Sequence, residues 1–182
     1  DTGAAKKNYY FFPVYNSSLG KMINEDQLKY WTTGPIMVWD ENNKFYYFKD
    51  SREFPAQDWS ASGGINVVEA FQEIHGVKLQ AAIGNKPRLI EKGMNLLIEW
   101  DIDDKQRNTK AYRNAIGYKD NTIFLVVARN ATVPDLADIM KELKVEYALN
   151  LDGGYSSALW YNDEYMVLPG RDIPNAIIFK EN

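Results

Sequence analysis

The chain has 182 residues, 45% hydrophobic and 25% charged, with a formal net charge of -4. That size supports one domain over residues 1–182 with a sizeable core, and the charge balance excludes nucleic acid as the main partner, because phosphate neutralisation needs clustered Lys and Arg. No apolar run approaches the ~20 residues that span a bilayer, and the lack of cysteine removes disulfides, thiolate nucleophiles and Cys-based zinc sites together.

The chain starts at Asp1 rather than Met, as a processed or trimmed product would, after loss of an export signal or of an upstream segment. "NYYFFP" (Asn8–Pro13) sets one amide among four aromatics. It reads either as a core strand entered at Asn8 or as a sugar contact, with Asn8 bonding a hydroxyl and a ring stacking on the pyranose. "GPIMVWDENNKFYYF" (Gly34–Phe48) predicts two strands joined by an Asp-Glu-Asn-Asn turn. Ile65–Ile74 predicts a short helix closed by Gly76, with the only histidine, His75, at its end. "VKLQAAIG" and "PRLIEKG" predict a strand and a tight return. Asn95–Ile102 is expected to form a strand and Asp103–Lys110 an exposed loop. "AYRNAIGY" and "NTIFLVVA" form a second hairpin around Lys119, Asp120 and Asn121.

The clearest helix is Thr132–Lys144. Thr132 can cap it, Pro134 fits its first turn and Asp135 favours its positive end. Leu136, Ile139, Met140 and Leu143 fall at i, i+3, i+4 and i+7, giving one apolar face. "EYALNL", "SALWY", "EYMVL" and "NAIIF" then follow as strands. Many short strands around two or so amphipathic helices predict an α+β, strand-rich fold with mixed or antiparallel sheets.

Between those last strands lies Asp152-Gly153-Gly154, directly after an apolar strand. Glycines there permit a sharp turn and a close approach to the main chain, and with the Ser156 and Ser157 hydroxyls the exposed N–H groups can hold an anion. Asp152 would sit at a rigid strand end, a good place for a base or nucleophile. The local pattern also fits a plain hairpin, for which Asp-Gly is the commonest short signal. Arg171, after Pro169-Gly170, offers a fork for phosphate or carboxylate, or a surface ion pair with Asp172. Arg113 interrupts an apolar strand, so it either faces solvent or is paired at a site. Asp101, Asp103 and Asp104 lack the spacing of an EF-hand loop and read as a solvated acidic turn, so no metal is expected.

"YRNAIG", "TIFLVVA" and the block from Thr132 to Phe179 occur in an order that resembles the phosphodiester glycosidase family. That family pattern has Arg-Thr-Ala-Ile-Gly, a strand, a helix, Asn-Leu-Asp-Gly-Gly-Gly-Ser-Ser, and then an Arg before Pro/Ala-Asn-Ala-Ile. Upstream, "GAAKKNYYFF" is similar to its Asn-Gly-Gly-Phe-Phe, "SSLGKMINEDQL" to its Pro-x-Gly-x-x-Ile stretch and "AAIGNKPRLIEKG" to its Gly-Pro-Arg-Leu-Val turn. The resemblance runs from about Gly3 to Phe179 and is most specific at Asn150–Ser157 and Arg171–Ile177. It implies a hydrolase acting on a sugar phosphodiester without a cofactor, in a secreted or cell-surface setting related to exopolysaccharides. It implies Asp152 as the site carboxylate, Arg113 and Arg171 as its arginines, and Asn8, Gly153, Gly154, Ser156, Ser157 and Asn175 as binding or supporting positions. Two arginines would clamp the phosphate while Asp152 stabilises an oxocarbenium-like centre or activates water. Tyr9-Tyr10 stand where the family has glycines, Tyr155 replaces the third Gly and Asn114 replaces Thr. Bulk at Tyr9, Tyr10 and Tyr155 favours a second reading, a glycan or phosphosugar binding module on the same fold, and within enzymes a phosphodiesterase cleaving P–O is the alternative.

Overall fold

The computed structural model describes residues 11–55 and 66–179. Two strands, β1 (Val14–Asn16) and β2 (Lys21–Ile23), lead through short 3-10 turns into the hairpin β3 (Ile36–Asp40) and β4 (Phe45–Phe48). Helix α1 (Val67–His75) and β5 (Leu79–Gly84) complete a five-stranded sheet ordered β2-β1-β5-β3-β4. Then come β6 (Arg88–Glu91), β7 (Met94–Asn95), the short helix α2 (Asp104–Asn108), β8 (Ala111–Lys119), β9 (Thr122–Ala131), helix α3 (Val133–Glu142) and β10 (Tyr147–Leu151). They build a second five-stranded sheet, ordered β7-β6-β10-β8-β9, and a separate hairpin of β11 (Leu159–Tyr161) and β12 (Glu164–Val167) follows. Every pairing between described strands is antiparallel. The fold is therefore α+β and rich in strands, as its sequence predicts, with antiparallel sheets.

The two-residue period of the strands sorts their side chains into layers. In β3, Ile36 and Val38 face a core shared with Phe71 of α1, while Met37 and Trp39 face Ile116 and Leu149 of the second sheet. In β10, Leu149 faces the first sheet and Ala148 faces Leu136 and Met140 of α3. The order is helix, sheet, sheet, helix. All of β3 is buried because apolar layers cover both of its faces.

Four sequence expectations need correction. The apolar run Asn95–Ile102 is not a strand. Only Met94–Asn95 pairs, and the run then turns through a 3-10 segment at Glu99–Asp101 so that Leu97 and Ile102 reach the core under α3. Asp103–Lys110 is not a loop but mostly α2. Asp103 accepts from Gln106 N–H at 2.6 Å and the Gln106 side chain answers at 3.1 Å, a capping box that starts the helix. Asn175–Phe179 forms no strand among the described residues, and Ile177, Ile178 and Phe179 stand exposed. Helix α3 carries the expected Thr132–Asp135 cap, but its buried stripe is Val133, Leu136, Ala137 and Met140. Ile139 and Leu143 are half-exposed, because the face laid on β6 and β8 is the one centred between Val133, Leu136, Ala137 and Met140.

Candidate active site

The face of the second sheet that meets the first changes character along its length. Cross-strand register sets Leu125, Ile116 and Leu149 in one row and Val127, Asn114 and Leu151 in the next. The apolar rows end there. Asn114 turns its amide to the chain just past β10, donating from Nδ2 to the Asp152 carbonyl at 2.6 Å. Asp152 is thus anchored through its main chain by the neighbouring strand, with its side chain outside the sheet.

The Asp152 carboxylate is held at both oxygens. Oδ1 accepts the Gly153 N–H at 3.0 Å, and Oδ2 accepts from Arg171 Nη2 at 2.9 Å. Arg171 Nε also donates to Ser156 Oγ at 2.7 Å. Carboxylate, guanidinium and hydroxyl therefore form one network from residues far apart in sequence. The side chains of Arg171 and Asp152 are 53% and 70% exposed. An ion pair so open contributes only ~0–1 kcal/mol to stability, so folding alone gives little reason to keep it. A guanidinium fork poised beside an exposed carboxylate is instead suited to exchange that partner for an arriving anion.

The loop that carries this network is fixed by packing. A Cβ on Gly153 would meet the Tyr112 carbonyl oxygen at 2.7 Å, so the backbone lies directly on β8 where only glycine fits. Gly154 has φ +62 and opens a 3-10 turn over Gly154–Ser156. Tyr155 is 79% exposed, and its backbone carbonyl accepts the Gly170 N–H at 2.9 Å. Gly170 packs against the Tyr155 side chain so closely that a Cβ there would meet ring carbon Cδ1 at 2.5 Å. That contact sets the approach of Arg171.

The other expected site residues are placed differently. Arg113 is buried, and its guanidinium donates to the carbonyls of Thr109 at 2.8 Å, Lys105 at 3.1 Å and Ala131 at 3.3 Å. It lies beside Gly153 through its aliphatic stem, but among the described residues no hydrogen bond joins it to Asp152 or Arg171. Ser157 is buried and its Oγ has no hydrogen-bond partner among the described residues; the same holds for Asn114 Oδ1. Asn175 is exposed and outside the network. Asn8, Tyr9 and Tyr10 lie outside the described residues. His75 is remote from the site, packed between Phe71 and Tyr46 on the first sheet. Burial and the nearby Lys44 cation hold its imidazole below the usual range.

Among the described residues no cluster of His, Cys, Asp and Glu could hold a metal ion, and no helix is long and apolar enough to cross a membrane. A depression of about 410 Å³ between α3 and the 95–107 segment is lined by Asn95, Leu97, Ile102, Arg107, Pro134 and Asp138. It shares no residue with the Asp152 network, and its Asn95 and Asp138 satisfy each other at 3.1 Å, so it has less chemistry to offer than the open site. Two features of that open site were hidden from sequence reasoning. Asn114 acts as the anchor of Asp152, although it was visible there only as a departure from the Thr pattern. Tyr155 and Gly170 pack against each other and are joined by a backbone hydrogen bond.

A family model described as phosphodiester glycosidase matches residues 14–180. No curated protein matches in sequence. Among solved structures, the zebrafish N-acetylglucosamine-1-phosphodiester alpha-N-acetylglucosaminidase catalytic domain, auto-inhibited by its pro-peptide, superposes with a TM-score of 0.61 at 12% identity. The alignment covers 92% of this chain and 53% of that one, so the chain spans about half the length of this relative. A hypothetical protein from Synechocystis aligns at a TM-score of 0.43 and 18% identity, over 75% of this chain and 31% of that one.

Proposed function

We propose that this chain, which belongs to the phosphodiester glycosidase family, hydrolyses the glycosidic bond of a sugar-1-phosphodiester. An N-acetylglucosamine-1-phosphodiester or a cell-surface phosphoglycan is the substrate class. The observation that carries this reading is the 2.9 Å pairing of exposed Asp152 with Arg171, steadied by Ser156. It brings an acid–base group and an anion receptor to one open surface.

In the proposed reaction the substrate phosphate displaces the Asp152 carboxylate from Arg171. The freed carboxylate takes a proton from water as the water oxygen bonds the anomeric carbon. The bond from that carbon to the phosphate oxygen breaks, and its electron pair leaves on the phosphate, where Arg171 stabilises the charge. The departing phosphate monoester is a good leaving group, so one carboxylate suffices where most glycosidases need two. The test is release of free sugar from UDP-N-acetylglucosamine and from a teichoic-acid-like polymer. Release that vanishes in Asp152→Asn supports the reading, and sugar released equally by that variant contradicts it.

A binding module on the same fold is the second reading. The observation in its favour is Arg113, whose guanidinium is spent on three carbonyls, leaving Arg171 without the second clamp expected beside it. Measurable binding of several sugar phosphodiesters with no release from any of them would select this reading.

A further inference from the structure

The row beyond Asn114 and Val127 holds a second cation. Between Ala111 and Arg113 the register of β8 on β9 slips, so that Arg129 and Asn130 both oppose Tyr112, with Asn130 at φ 52. Bulges of this kind re-aim side chains and are common beside active sites. Here the bulge presents Arg129 to solvent. Its Nε donates to the Tyr112 hydroxyl at 3.0 Å, and its guanidinium carbon lies 5.6 Å from the centre of the Tyr112 ring.

Tyr112 is the residue whose carbonyl Gly153 rests upon. The Arg129–Tyr112 pair therefore borders the Asp152 turn on the β8–β9 side, while Arg171 borders it from the other chain direction. With strands ~4.8 Å apart and ~3.4 Å per residue, the Arg129 Cα stands about 10 Å from that of Asp152, two strands across.

The Tyr112 hydroxyl fixes one edge of the guanidinium, and both terminal Nη groups make no hydrogen bond among the described residues. An exposed cation–π pair is worth only ~0.5–1 kcal/mol, so holding the fork in place gives the fold little. Arg113, the arginine expected to share the clamp, is turned to the helix side and bonded to carbonyls. Arg113 therefore offers no fork to the open face.

We infer that Arg129, pinned on Tyr112, is the aglycone-side receptor of this site and selects substrates whose leaving group carries a second anionic group, a sugar diphosphate rather than a simple diester. The inference rests on the proposed function, with Arg171 taking the phosphate next to the sugar and Arg129 the outer one.

The test compares UDP-N-acetylglucosamine with the methyl phosphodiester of N-acetylglucosamine by titration calorimetry, with sugar release followed in the same samples. The wild type is expected to bind the diphosphate more tightly. In Arg129→Gln the ratio of the two affinities should fall at least tenfold, with unchanged thermal stability because Arg129 is exposed. Tyr112→Phe, which keeps the ring and loses the hydroxyl, should lower the ratio by a smaller factor. A ratio unmoved in Arg129→Gln, no preference in the wild type, or no binding of either probe overturns the inference. Sugar release judges the hydrolase reading separately: a collapsed ratio without release keeps Arg129 as receptor and removes hydrolysis. Release with an unmoved ratio does the reverse.

Discussion

Gly153→Ala is the perturbation that most sharply separates a built site from a surface turn. The new Cβ would lie 2.7 Å from the Tyr112 carbonyl oxygen and 3.5 Å from Arg113 Cα. Ordinary carbon–oxygen contacts begin near ~3.3 Å, so the turn must lift by about 0.6 Å. The obstacle is main chain in β8, which pairs with β9 on either side of Tyr112, and it cannot swing away as a side chain could. Overpacking of this kind costs about 1–3 kcal/mol, and each kcal/mol lowers Tm by about 2–4 °C for a chain of this size. Activity should suffer more. The lift acts on Asp152 itself, and a displacement of about 1 Å at a catalytic group costs about 100-fold, so kcat/KM should drop roughly tenfold or more. Gly154→Ala is the control: its φ is +62 but nothing lies within 4 Å of the added Cβ. It carries a backbone strain of about 1–2 kcal/mol without pushing Asp152, and its loss of kcat/KM should be clearly the smaller. Melting curves and steady-state rates on both variants decide the matter. A Gly153→Ala protein with wild-type rate and stability, or one less affected than Gly154→Ala, would refute the argument.

Four further outcomes follow from the same geometry. Asp152→Asn should lower turnover by about 10²–10⁴-fold, the range for loss of a general base, with an unchanged melting curve, since the pair it breaks is exposed. Arg171→Lys should reduce kcat/KM about 10–100-fold, because it loses a charge-assisted bond of about 1.5–3 kcal/mol while Lys still supplies the charge. Thr132→Ala removes the cap that accepts Asp135 N–H at 3.2 Å and should cost about 1 kcal/mol by denaturant unfolding, leaving kcat unaltered. His75, the only histidine, should titrate below 6.5 in the folded protein, since burial and then the Lys44 cation disfavour its charged form. Its folded value is the lower one, so the unfolded chain takes up the proton first, and stability should decline as pH falls through 6.5 and level off below the folded value. One imidazole resonance followed by NMR, beside unfolding curves over that range, tests the sign.

The layers of this fold were legible because strand period and burial agree. "IMVWD" alternates between two buried faces, and "YALNL" continues the same logic up to the site. The capping box of α2 is also written in the sequence, as Asp103 three residues before Gln106, but the stretch is polar throughout and has no apolar period to mark it as a helix. The runs Asn95–Ile102 and Asn175–Phe179 have strand composition, yet a strand also needs a partner ladder, and composition says nothing of where an edge is free. Arg113 shows the limit for side chains. A charge inside an apolar strand reads as solvent-facing or paired at a site, but here the guanidinium meets carbonyls at the ends of α2 and β9. Asp152 and Arg171 were legible as a pair only through the order of motifs, since 19 residues separate them. Arg129 was not legible at all: its outward aim onto Tyr112 depends on a register slip that no local pattern encodes.

Hydrolysis of a sugar phosphodiester in ¹⁸O-labelled water is the most direct measurement of the central claim. Attack at the anomeric carbon places the label in the released sugar and none in the phosphate. Label recovered in the phosphate product would show that the P–O bond is the one broken, and would contradict a glycosidase built on Asp152 and Arg171.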